Sequence, residues 1–175
     1  VNLQKAWIQK PSLLLHTNIE RLNIEYRSTK WNVRAGRQRI NWGITTSWNP
    51  NDIFNVYNFL DFDYEERPGN DAIRIQHYFK NNATLEMAYK PGSRVNESIA
   101  AVMYKFNKNS YDYQLLAGIY QTDIVIGGGW AGSIKDAGFK GEAQYFFGSK
   151  DSGDHLNISL EGDYMFKKGW YVNTS

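Results

Sequence analysis

Apolar and polar residues trade places at every second position along most of this chain, and that period limits what it can fold into. A repeat of two is the mark of a β-strand, because successive side chains leave opposite faces of the pleat. "RLNIEYR" sets Leu22, Ile24 and Tyr26 on one face. "WNVRA" does so with Trp31, Val33 and Ala35, and "AIRIQHYF" with Ile73, Ile75, His77 and Phe79. "TLEMAY", "AAVMYKF", "YDYQLLAGIY", "AGFKGEAQYFF" and "LNISLEGDYMF" continue the pattern. "IVIGGGWAG" is the weakest stretch, and its glycines read as a strand where small residues allow close approach or curvature. Helical periodicity is nearly absent, so the chain reads as all-β, with about ten antiparallel strands.

Several of these strands are about ten residues long, the length of a tilted strand crossing a bilayer and longer than the five or six usual in soluble sheets. One face of each strand carries Lys, Glu, Asp, Arg and Gln, while the other carries almost no charge. A solvated sheet face would account for that as well, and the connections decide between the two. "STK", "KNN", "NKNS" and "KKG" are short and polar and follow one end of the strands. The long links at 41–71, "KPGSRVNES" and "GSKDSGD" follow the other end. Short turns on one side and long loops on the other is the arrangement of an up-and-down transmembrane β-barrel. Trp31, Phe79, Tyr89, Phe106, Tyr111, Phe147 and Phe166 sit at strand ends, where a barrel carries its aromatic girdles. Composition agrees: 15% of residues are aromatic, yet mean hydropathy is −0.58. Residues 1–175 therefore read as one barrel domain or segment. A soluble carbohydrate-binding β-sandwich, which would share the aromatic content, is the lesser alternative.

Other classes drop out. Lys and Arg number 20 against 18 Asp and Glu, so no basic excess marks a nucleic-acid binder. Cysteine is absent, which removes disulfides and thiolate chemistry. No apolar run is long enough for a transmembrane helix, and residues 1–20 lack the basic start and cleavage site of a signal peptide. The three histidines, His16, His77 and His155, show no metal-ligand spacing, and no G-x-S-x-G element is present. No enzyme and no cofactor are expected.

The stretch "WNVRAGRQRINWG" holds Arg34, Arg37 and Arg39 on a strand with an apolar face. Arg34 shares parity with Asn32 and points to the polar face. A β-bulge at Gly36 would swap the faces, bring Arg37 and Arg39 inward beside Arg34, and return Ile40 and Trp42 to the lipid side. Without the bulge, Arg37 and Arg39 would lie on the outer rim. Next comes a long loop, 44–71. Its "NPND" is a turn and helix-start signal, and Ile53, Phe54, Tyr57 and Leu60 predict a short helix near 51–60. Asp61, Asp63, Glu65 and Glu66 follow, then Arg67, Pro68 and Gly69. Folded into the lumen, the loop would bring these acids to Arg34, Arg37, Arg39 and Arg74, and such charges at a constriction tune which solutes pass. "DFDYEE" has calcium-type oxygen ligands without the spacing of a helix-loop-helix site, and the arginines are the simpler partners, so no metal is expected. Trp42, Trp48, Tyr57 and Tyr64 read as packing the loop against the wall, with stacking on sugars as the alternative.

At these residues the chain resembles a known family. "GRQRINWG", "NPNDIFN" and "DFDYEERPGNDAIR" look like the signature of porin-like outer-membrane β-barrels of Gram-negative bacteria, in which a GRQ…WG strand precedes an inward NP-x-D loop. The resemblance covers about a quarter of the chain and implies the bacterial outer membrane as location. It also implies a lipid bilayer as partner and small hydrophilic solutes as cargo. The segment ends "GWYVNTS" rather than on an aromatic closing strand, and a narrow barrel has little room for so long a loop, so it is expected to be part of a larger barrel. The expected function is a porin-like channel constricted by an acidic loop facing an arginine-lined wall. A plugged structural barrel, serving as a subunit of an assembly with other outer-membrane proteins, is the alternative.

Overall fold

The computed structural model describes residues 4–10, 12–55, 69–149 and 153–175. Two strands, β1 (Gln4–Lys10) and β2 (Leu13–Asn18), pair with each other in a sheet of their own. The remaining ten make a single sheet: β3 (Leu22–Arg27), β4 (Trp31–Gln38), β5 (Asn70–Tyr78), β6 (Thr84–Lys90), β7 (Ile99–Lys108), β8 (Tyr111–Tyr120), β9 (Asp123–Ile134), β10 (Ala137–Phe147), β11 (His155–Met165) and β12 (Tyr171–Thr174). Every strand pairs antiparallel with its neighbour in the chain, so the sheet is an unbroken up-and-down meander. It is not closed: β3 and β12 are its two edges. The only helix among the described residues is one 3-10 turn, Val95–Glu97.

Short turns set this topology. Asn109 and Ser110 join β7 to β8 with both φ angles positive, at 53° and 64°. Two-residue hairpins favour that backbone because its twist matches that of the strands. The connections at this end (28–30, 79–83, 109–110, 135–136 and 166–170) are all short. At the opposite end the links are 39–69, 91–98 and 148–154, with 121–122 the one tight turn.

The sheet has two unlike faces. Its apolar face carries Ile73, Val102, Leu115, Ile119, Ile126, Ile158 and Leu160, all exposed. Aromatic rings run along its short-turn margin in touching pairs: Trp31 on His77, His77 on Phe79, Phe79 on Tyr104, Tyr104 on Phe106, and Phe106 on Tyr113. Trp130 with Phe139 and Tyr164 with Phe166 extend the row across β9 to β11. Tyr145 and Phe147, in contact at 4.8 Å, mark the other margin. His77 thus packs within a ring stack, between Trp31 at 4.3 Å and Phe79 at 4.7 Å. The polar face holds Asn32, Gln38, Glu86, Gln114, Glu142, Gln144, Ser159 and Glu161, and all of these are buried.

Two local expectations are corrected. No bulge occurs at Gly36: pairing runs without a shift from Leu22↔Arg37 to Arg27↔Asn32 on one side, and from Trp31↔His77 to Gln38↔Asn70 on the other. Gly36 instead supplies a φ of +118° at a point where an added Cβ would stand 2.4 Å from the Leu22 carbonyl oxygen. The short helix predicted near 51–60 does not form over 51–55, where the chain makes turns closed by Asp52 N–H to Asn49 O and Asn55 N–H to Asp52 O. Side chains there are bonded to the sheet and to residue 40, which holds the backbone in turns. Residues 56–60 lie outside the described set.

Candidate functional site

Past β4 the chain turns onto the polar face and stays there. Residues 39–55 lie across the sheet as a strap, with Ile40, Trp42, Ile53 and Phe54 at 0–2% exposure. Ile40 and Trp42 therefore face the sheet's polar side, opposite to the side to which a bulge would send them. The Trp42 ring meets Phe54 edge-on at 4.9 Å.

Three carboxylates of the sheet hold the strap. Glu86 on β6 accepts the Trp42 indole N–H at 2.7 Å. Glu142 on β10 accepts the backbone N–H groups of Ile44, of Thr45 at 2.9 Å and of Asn51 at 3.1 Å. Glu161 on β11 accepts Thr46 N–H at 2.7 Å, along with Lys140 Nζ at 3.3 Å and Asn173 Nδ2 at 2.8 Å. Amides add to the hold: Gln114 donates to the Trp42 carbonyl and Asn51 donates to the Gly128 carbonyl, each at 2.9 Å. Loop N–H groups are orphan donors wherever no strand pairs with them. A buried carboxylate that accepts several of them satisfies loop and acid together.

Glycines of β9 make room for this contact. A Cβ at Gly127 would lie 2.4 Å from Asn51 Oδ1, and one at Gly129 would lie 2.9 Å from Ile44 Cδ1. The weak glycine-rich stretch of the sequence is thus a strand of twelve residues, kept bare where the strap approaches.

The arginines divide. Arg34 and Arg74 are directly opposed across β4 and β5 on the polar face. Arg34 bonds Glu25 at 2.9 Å, and Arg74 stands 3.9 Å from Glu86. Arg37 has the opposite parity, as expected without a bulge. Its guanidinium makes two bonds to Asp71 at 3.0 and 3.1 Å and a third to the Ile19 carbonyl at 3.2 Å. The three arginines therefore do not share one wall. Arg39 lies just past β4, half-buried. Asp61, Asp63, Glu65, Glu66 and Arg67 lie outside the described residues, as do Tyr57 and Tyr64. Among the described residues, the acids that meet Arg34 and Arg74 are Glu25 and Glu86, which belong to the sheet.

The residues that hold the site, Glu86, Gln114, Glu142 and Glu161, were not singled out from the sequence. One signal could have found them. They stand on the polar face beside Ala88, Ala101, Gly127 and Gly129, and such a lane of small residues marks where another backbone can lie.

The strap leaves two cavities on the polar face. One, of about 560 Å³, lies toward the short-turn end and is lined by Ile44, Thr84, Lys105, Asp112 and Gln114. The other, of about 280 Å³, lies toward the long-link end between residues 48–55 and strands β8 to β11. No group of three or more His, Asp or Glu residues among the described ones is placed to hold a metal ion. No family model, no curated protein and no solved structure matches this chain.

Proposed function

We propose that the chain forms part of the wall of an outer-membrane β-barrel, and that the 39–55 strap narrows its lumen into a channel for small hydrophilic solutes. The observation that carries this reading is the division of the sheet into one apolar, ring-bordered face and one polar face covered by a bonded strap. Exposed aliphatic and aromatic residues spread over ten strands would be an aggregation hazard in water, whereas lipid accommodates them. Phe139 and Phe147 border the apolar face on β10, eight residue steps apart, about 27 Å along the strand at ~3.4 Å per step. With strand tilt, that approaches the apolar band of outer-membrane barrels, about 25 Å tall.

The open edges bear on size. In hydrocarbon, the unpaired backbone groups of β3 and β12 would each lack a partner. Further strands would satisfy them and give a lumen wide enough for the strap. Residues 39–55, with a cavity on either side, would then form the constriction, and Arg34 and Arg74 with Glu25 and Glu86 would set its charge.

Single-channel recording on the full-length protein in planar bilayers tests this. Discrete conductance steps are expected, with ion selectivity that changes in an Arg34→Ala, Arg74→Ala double variant. A second reading, a plugged structural barrel, draws on the tight burial of the strap's own Ile40, Trp42, Ile53 and Phe54 against the sheet. Bilayer insertion with no conductance would favour that reading over the channel.

A further inference from the structure

The cavity at the long-link end is lined by aromatic rings, amides and carboxylates. Trp48 contributes a large ring, 45% exposed, from the strap. The same space is lined by Tyr120 and Phe146, whose rings meet edge-on at 5.7 Å, and by His155, stacked on Phe146 at 4.4 Å with planes 14° apart. The lining also includes the amides of Gln144 and Asn157 and the carboxylates of Asp52 and Asp123. Neither lysine nor arginine is among the described lining residues.

Gln144 adds a second, independent observation. It is 2% exposed, and its Nε2 has no hydrogen-bond partner among the described residues. A buried donor left unpaired is costly, so such groups in native proteins call for a partner. The lining thus combines flat apolar surfaces with neutral donors and anionic acceptors. A pyranose ring has matching chemistry: C–H groups on its faces, and hydroxyls at its rim that both donate and accept. An anionic solute would meet the carboxylates of Asp52 and Asp123.

We propose that this cavity binds a sugar ring of a neutral saccharide, with Trp48 as the stacking platform and Gln144 and Asn157 bonding the hydroxyls. As a statement of the channel's cargo it rests on the reading above, while the binding step itself needs no conduction.

The test is calorimetric titration of the full-length protein, kept in a detergent without a sugar headgroup, with maltotriose, cellotriose and raffinose. Glucose 6-phosphate and spermidine serve as charged comparisons. Saturable binding of at least one trisaccharide is expected, weakened about tenfold or more in Trp48→Ala and in Asn157→Ala. Lys105→Ala, in the other cavity, should bind as the unaltered protein does. Heat-modifiable migration on gels checks that each variant is folded. No binding of any trisaccharide would overturn the proposal, and so would unchanged binding in both cavity variants or tighter binding of either charged probe. Sugar binding without conductance would remove the channel and leave the site; conductance without sugar binding would do the reverse.

Discussion

The indole of Trp42 donates to Glu86 Oε1 across 2.7 Å, and both side chains are almost wholly shut away from solvent. The bond joins the strap to β6 over 44 positions of sequence. Glu86 also accepts Gln76 Nε2 at 2.6 Å and lies 3.9 Å from Arg74, so one carboxylate links the strap to the arginine pair.

Trp42→Phe keeps a ring against Phe54 but removes the indole donor to Glu86. A buried acceptor that loses its partner costs about 1–3 kcal/mol. The urea midpoint of the protein in micelles should fall accordingly, with an unchanged slope. A midpoint equal to that of the unaltered protein would show that this bond does not hold the strap.

Glu142→Ala takes the acceptor from three strap N–H groups at once. Residues 44–51 should then become open to proteinase K, and single-channel conductance should rise as the strap lifts. Glu142→Gln keeps one acceptor oxygen and should fall between the two. Protection as strong as in the unaltered protein would place the hold on the strap elsewhere.

Gly127→Val places a side chain where Asn51 Oδ1 now sits, 2.4 Å from the new Cβ. Such overpacking costs about 1–3 kcal/mol. Gly162→Ala is the companion, since nothing lies within 3.9 Å of its Cβ position, and it should stay within about 0.5 kcal/mol. Equal midpoints for the two variants would mean that the strap does not press on β9.

Local chemistry was legible in the sequence, and distant contact was not. Period two reports which way each side chain points from its own strand, so the strands from Leu22 to Met165 and their two faces could be read directly. The glycines of β9 were legible as a place of close approach, though not what approaches. Trp42 was misplaced because its direction follows from bonds to Glu86 and Gln114, 44 and 72 positions away, and no local repeat encodes those. Glu142 and Glu161 looked like any polar-face residue, since their partners in the strap lie 91 to 115 positions off. Gly36 suggested a bulge because glycine in a strand commonly marks one. Here it answers a close carbonyl and an unusual φ, which neighbouring letters do not reveal.

Leu115→Arg puts a charge on the apolar face midway between its aromatic margins. In a bilayer that costs roughly 2–4 kcal/mol at the midplane, falling toward the interfaces. Folding into lipid vesicles should weaken by about that amount, while arginine at exposed Phe166, on the margin, should cost far less. A Leu115→Arg variant that folds into vesicles unchanged would argue that this face does not meet lipid.

In the proposed channel the apolar face meets lipid and the polar face does not. Residues 1–175 have no cysteine, so a single cysteine introduced there has no background from this stretch. Spin labels placed one at a time at 156–161 on β11, in the full-length protein in lipid vesicles, can be read by collision with oxygen and with a water-soluble nickel chelate. Oxygen contact is expected at 156, 158 and 160, with shielding from oxygen at 157, 159 and 161. Strong nickel contact at 156, 158 and 160 would place this face in water and contradict the membrane reading.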